Sequence, residues 1–191
     1  RVRVRVRVRV RVRAHSATVT LKVVQGGEEK EVNFADLLDK PTIVSVYMKN
    51  NTSSCDRQTL SLAEESEWFQ KNGFNIVAIS KDTCGSHKRY ADKQGIDFIL
   101  ASDPEYKFAT ATDSVVEKKM YGKTFEAPSR SAFVIDSDGT ILAVGCSFCS
   151  GNKGSTFIYE YMKTYWTMTG QIDGKSSGDR NSFVSLNSFN K

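Results

Sequence analysis

Cys55 closes the polar stretch YMKNNTSSC, residues 47–55, which leaves the apolar run IVSV and leads into a segment of helical character. A side chain in the first helical turn faces backbone N–H groups that lack an intrahelical partner. The macrodipole also favours an anion there, so a thiolate is stabilised. Thr52, three residues earlier in the same loop, offers a hydroxyl that can both donate and accept. A cation would complete the set, and Arg130 is the candidate, because PSR stands immediately before the apolar run SAFVID. The competing reading makes Cys55 a small, inert core residue.

The surrounding elements have to bring these three groups together. From Ala17, ATVTLKVV, QGGEEK and EVNF read as a β-hairpin with a glycine-containing turn, and ADLLDK as a short helical turn before Pro41. Three β-branched runs follow, TIVSVYM (42–48), FNIVAIS (74–80) and FILASD (98–103). Between them lie DRQTLSLAEESEWFQKNG and CGSHKRYADKQG, each closed by a glycine suited to a helix C-terminus. Strand, helix, strand, helix, strand at this spacing predicts parallel βαβ units. SAFVIDSDGTILAVG carries a tight SDG turn and predicts an antiparallel pair. Ile158, Tyr161, Met162, Tyr165 and Met168 then share one stripe of a last helix. A βαβ half followed by a ββα half is an α/β, thioredoxin-like order with an extra N-terminal hairpin. It places Arg130 near the centre of the sheet.

Bulk properties narrow the class. The 191 residues, 39% hydrophobic, suffice for one domain with a sizeable core, and no apolar run is long enough to span a membrane or form a signal segment. The chain reads as soluble, with residues 1–16 a low-complexity arm, 17–170 the folded domain and 171–191 a flexible polar tail. Seven of the 27 basic residues are the arginines of RVRVRVRVRVRVR, and the remaining 20 face 22 acidic ones, so the net +5 belongs to the arm. The arm reads as disordered, with a targeting segment and a polyanion-binding arm as the alternatives. Four dispersed cysteines do not make a secreted disulfide scaffold, and a reducing compartment fits them better.

NNTSSC with its following helix, then VAISKD, SHKRYADKQG, FILASDPEYKFA and RSAFVIDSDG, resembles the peroxiredoxins, in particular the bacterioferritin-comigratory or Q-type subfamily. The resemblance runs from the ATVTLKVV hairpin to the AVG strand. It implies that Cys55 is the peroxidatic cysteine, Thr52 the threonine of its loop and Arg130 the active-site arginine. It implies also a peroxide substrate, a sulfenic acid product, a thioredoxin-like reductant, no metal or organic cofactor, and a monomer. The sequence departs from the family pattern at Met48, where proline is usual, at Ser53 and Ser54, often Pro-Gly, and at Gln58, often Glu.

The thiol that resolves the sulfenic acid is the next expectation. Many Q-type members carry it five residues after the first cysteine, where this chain has Leu60; others place it on the following helix, where Cys84 stands in KDTCGSH. Cys84 is therefore the resolving candidate, with Asp82 or Thr83 as N-cap and a helix start expected to lower its pKa. Cys146 and Cys149 form C-x-x-C at the end of the last strand, the wrong place for a thioredoxin-type dithiol and without the further ligands a zinc site needs. A local disulfide, an alternative resolving pair and two plain loop residues remain open for them. His87, in SHKRY, reads as solvated, and Trp166 as core. The rival function is a weakly catalytic subunit that keeps the fold and binds RNA or another polyanion through its arm; an intracellular location, cytoplasmic or organellar, fits either.

Overall fold

The computed structural model describes residues 19–146. The arginine arm, Cys149, the stripe from Ile158 to Met168 and the tail lie outside the described residues.

A seven-stranded mixed sheet runs in the order β2-β1-β5-β4-β3-β8-β9. Its middle is built by β3 (Thr42–Val46), β4 (Asn75–Ser80) and β5 (Ile99–Ser102), paired in parallel. The crossovers are α1 (Ser53–Lys71) and α2 (Cys84–Gln94), as the βαβ reading requires. The N-terminal hairpin, β1 (Thr20–Gln25) and β2 (Glu28–Asn33), adds antiparallel to β5, and β8 (Ser131–Ile135) with β9 (Ile141–Cys146) adds antiparallel to β3. A 3-10 turn at Phe34–Leu37 occupies the place of the expected helical turn.

Strand β3 is buried along its whole length, and its period of two sends alternate side chains to opposite layers. Ile43 joins Leu62, Phe69, Tyr90 and Leu100 under α1 and α2, whereas Val44 and Val46 join Phe34, Phe108 and Phe133 on the other face. Helix α1 buries Cys55, Gln58, Thr59, Leu62, Ser66 and Phe69, a stripe at helical spacing. Removing Leu62 or Phe69, both almost fully enclosed, costs about 2–5 kcal/mol each. That stripe fixes the rotation of α1 and so turns Cys55 inward.

One element departs from the sequence reading. Between α3 (Lys107–Ala111) and β8 stands a separate antiparallel hairpin, β6 (Val115–Met120) and β7 (Lys123–Pro128). Its turn residues Tyr121 and Gly122 both have positive φ, 50° and 76°, as in a type I′ turn. Among the described residues no helix is long and apolar enough to cross a membrane.

Candidate active site

The loop from Tyr47 to Thr52 leaves the C-terminal end of β3, and Thr52 is the N-cap of α1, so Cys55 falls in the first turn as expected. The cap is a backbone one: the Asp56 N–H donates to the Thr52 carbonyl at 2.8 Å. The Thr52 hydroxyl instead donates to the Lys49 carbonyl at 3.0 Å, which leaves its lone pairs free to accept. Cys55 is buried, at 3% exposure, while Thr52 is exposed.

Arg130 arrives from the neighbouring strand. Antiparallel pairing sets Ser131 against Val46, and this brings the residue before β8 level with the start of the Cys55 loop. Its Nη1 donates to the Ser54 carbonyl at 3.2 Å, one residue before the thiol. Thr52 and Cys55 thus belong to the loop and helix after β3, and Arg130, just before its partner strand, reaches the residue next to the thiol.

Several neighbours were not anticipated. Gln58, one turn after Cys55, is buried, and its Nε2 donates to Ser45 Oγ at 2.9 Å, the Val46 carbonyl at 3.2 Å and the Ser131 carbonyl at 3.4 Å. Those carbonyls fix the amide orientation, and Oε1 is left without a partner. Gln58 therefore ties α1 to both strands that carry the site. Tyr47 and Tyr90 lie close enough to Cys55 for its charge to act on both phenols. The Tyr47 hydroxyl donates to Asn50 Oδ1 at 2.6 Å and that of Tyr90 to Asp56 Oδ1 at 2.7 Å. Burial first, then nearby negative charge, pushes both phenols well above their ordinary range, so they stay neutral donors. Met48, where the resemblance leads one to expect proline, has Lys118 Nζ at 3.0 Å from its sulfur, so the β6–β7 hairpin rests on the active-site loop.

Cys84 corrects an expectation. It opens α2, with Thr83 as N-cap accepting from the Ser86 N–H at 3.3 Å, yet its thiol pKa is raised rather than lowered. Burial is the main cause, followed by the negative charge of Glu29 and a hydrogen bond to it; Lys22 and Lys88 act weakly the other way. Cys84 lines a cavity of about 520 Å³ together with Lys22, Glu29 and Pro104. Both Cys55 and Cys84 are free thiols. Cys146 ends β9, and its C-x-x-C partner lies outside the described residues. His87 also differs from expectation: it is fully buried, because its face of α2 packs on the active-site loop. Burial lowers its pKa, against a weaker opposite pull from Asp82. Among the described residues no cluster of three potential metal ligands occurs.

Comparison with known proteins agrees with this geometry. Residues 12–144 match the model of the AhpC/TSA family. The chain is 37% identical over 111 residues to a putative peroxiredoxin of Mycobacterium tuberculosis, covering 58% of this chain and 71% of that protein. It is 31% identical over 128 residues to the peroxiredoxin Bcp of Escherichia coli, covering 67% and 81% respectively. A cysteine-to-serine variant of Xanthomonas campestris peroxiredoxin Q superposes with a TM-score of 0.65 at 24% identity, covering 77% of this chain and 90% of that one, a likeness of fold. With that match over most of its length, the chain belongs to the AhpC/TSA family of thiol-dependent peroxidases, the peroxiredoxins.

Proposed function

We propose that the chain reduces hydrogen peroxide and small organic hydroperoxides at Cys55, with Thr52 and Arg130 holding the substrate and Cys84 resolving the product. The Cys55 thiolate attacks one peroxide oxygen and the O–O bond breaks. The distal oxygen leaves as water or alcohol once protonated, and Cys55 becomes a sulfenic acid. Thr52 accepts from the peroxide O–H with the lone pairs its bond to Lys49 leaves, while the guanidinium stabilises the charge growing on the leaving oxygen. Cys84 then attacks the Cys55 sulfur and releases water, and a thioredoxin-like dithiol restores both thiols by exchange.

The observation that carries this reading is the bond from Arg130 to the Ser54 carbonyl, which holds a permanent cation at the helix start that bears the buried thiol. Every group in the scheme comes from one chain, which is what a monomer needs, and a thiol-based cycle suits an intracellular location. The test is intact-mass analysis of the reduced full chain after one equivalent of hydrogen peroxide, with peptide mapping of the thiols. A rapid Cys55–Cys84 disulfide is expected. A disulfide from Cys55 to Cys146 or Cys149 would move the resolving role, and an unreacted Cys55 in folded protein would sink the reading.

A further inference from the structure

The face of α2 that meets the active-site loop is not the face that carries Cys84. Four of its residues hold the Cys55 side of the molecule. Ser86 and His87 bind Asn50, Tyr90 binds Asp56, and Lys93 binds Asn51 at 2.9 Å. At about 100° per residue these four share one side of the helix, and Cys84 lies roughly 130° around from its middle. Cys84 points instead to the cavity it shares with Lys22 and Glu29. A disulfide needs Cβ atoms about 3.5–4.5 Å apart, so the first turn of α2 has to come undone before Cys84 can meet Cys55.

The tie nearest Cys84 is Asn50. Its backbone N–H donates to Asp82 Oδ2 at 2.9 Å, and its Nδ2 reaches Ser86 Oγ at 3.1 Å and His87 Nδ1 at 3.3 Å. Its Oδ1 accepts from the Tyr47 hydroxyl, and with Nδ2 turned to the ring His87 Nδ1 is the acceptor in this arrangement. Asp82 is braced in turn by Ser80 Oγ at 2.8 Å. Asn50 is itself buried. One residue of the peroxidatic loop thus grips both sides of Cys84, Asp82 through its backbone and Ser86 and His87 through its side chain.

We propose that Asn50 is a positioning residue for the second half of the catalytic cycle: it clasps the start of α2, and release of this clasp limits the rate at which Cys84 attacks oxidised Cys55. The proposal rests on Cys84 being the resolving thiol. In the step it controls, the Cys84 sulfur bonds to the Cys55 sulfur and the S–O bond of the sulfenic acid breaks. The departing hydroxide takes the Cys84 proton and leaves as water. Peroxide has already supplied the oxidising equivalents. While the clasp is closed, oxidised Cys55 waits and is exposed to a second peroxide, which takes it to sulfinic acid.

The experiment measures two quantities on the full chain by rapid-quench mass spectrometry, the rate of Cys55–Cys84 disulfide formation after a peroxide pulse and the sulfinic fraction at excess peroxide. Asn50→Ala, which strands several buried polar partners in the closed form, is expected to raise the disulfide rate roughly tenfold and to cut the sulfinic fraction correspondingly. Ser86→Ala, which loses one contact, is expected to raise it about twofold to threefold and carries the test should Asn50→Ala fail to fold. Phe69→Leu, at the far end of α1, weakens the same core without touching the clasp and is expected to leave the disulfide rate near wild type. An unchanged or slower disulfide in the folded clasp variants, or an equal acceleration by Phe69→Leu, overturns the proposal. A wild-type protein that forms sulfenic acid at Cys55 and never bridges to Cys84 overturns the resolving assignment instead, and the clasp proposal with it.

Discussion

Cys55 and Cys84 occupy matching places. Each stands in the first turn of a helix, each follows a strand of the parallel middle of the sheet, and each is buried. The charges brought to the two helix starts differ. At the first, Arg130 crosses from β8 and binds the carbonyl one residue before the thiol. At the second, Glu29 comes from the N-terminal hairpin and, with burial, holds the thiol in its protonated form. A helix start supplies only partial charge, of the order of half an elementary charge, and at Cys84 burial, with Glu29 behind it, outweighs that. The same local motif thus meets a cation at Cys55 and burial with an anion at Cys84, which matches the order in which the proposed cycle uses them.

Removing either half of the first site gives the largest effects. Cys55→Ser is expected to drop peroxide turnover to the uncatalysed background while the fold survives, measured by peroxide consumption with circular dichroism as the control. Turnover retained in that variant would place the chemistry at another thiol. Arg130→Ala is expected to lower the second-order rate with peroxide by about a hundredfold to a thousandfold, the size seen when one preorganised donor is lost at a developing negative charge. Arg130→Lys restores only part of this, because an ammonium cannot reproduce the planar fork that binds Ser54 and, in the proposed cycle, a peroxide oxygen as well.

The second site is probed through its pH dependence. Attack by Cys84 needs its thiolate, and the thiol is raised above its ordinary value. Alkylation of Cys84 in the closed, reduced chain should therefore keep accelerating with pH beyond about 8.5, where an ordinary cysteine is half ionised. Glu29→Gln removes the negative neighbour and should speed alkylation of Cys84 at neutral pH by about twofold to threefold in low salt. Glu29 is exposed, so the gain shrinks as salt screens it, and burial, the larger cause, remains. A Glu29→Gln variant with unchanged alkylation would mean that burial alone reserves Cys84.

The sequence made the sheet and the first site legible because both rest on local patterns. Alternating apolar runs, helix-closing glycines and a cysteine after a strand are visible within windows of a dozen residues. Arg130 could be picked out because PSR stands immediately before the apolar run SAFVID, and the pairing of Ser131 with Val46 then brings it beside the Cys55 loop. The β6–β7 hairpin escaped notice because VVEKKM and KTFEAP are rich in charge, and its turn uses Tyr-Gly instead of the usual Asn-Gly or Asp-Gly. The raised thiol of Cys84 left no mark in the sequence because its main cause, burial, and its second, Glu29 more than fifty residues away, both arise only once the chain folds and β1 pairs with β5. Asn50 and Tyr90 gave no signal either, since a polar loop residue and a tyrosine on a charged helix look solvated until the two elements are laid side by side.

His87 belongs to the same blind spot, and it yields the smallest and most delicate prediction. Charged neighbours in sequence suggested exposure, but the ring is enclosed, with Nδ1 toward Asn50 Nδ2. Nε2 makes no well-aligned hydrogen bond, although the Ala101 carbonyl approaches closely enough to favour its proton. The folded chain therefore holds the ring neutral, with its pKa lowered chiefly by burial and Asp82 only partly opposing. In the unfolded chain the same histidine takes up a proton as pH falls through about 6.5. Below that point the unfolded state gains protons that the folded state does not, so this contribution is fully present above about pH 6.5 and is lost as the pH falls toward the lower folded value. Thermal melts of wild type and His87→Gln between pH 7.5 and 5.5 isolate it from the carboxylates common to both. The wild type is expected to lose more stability across that window than the variant. Parallel losses would mean that His87 takes its proton inside the folded protein, and that the clasp at Asn50 tolerates an imidazolium against it.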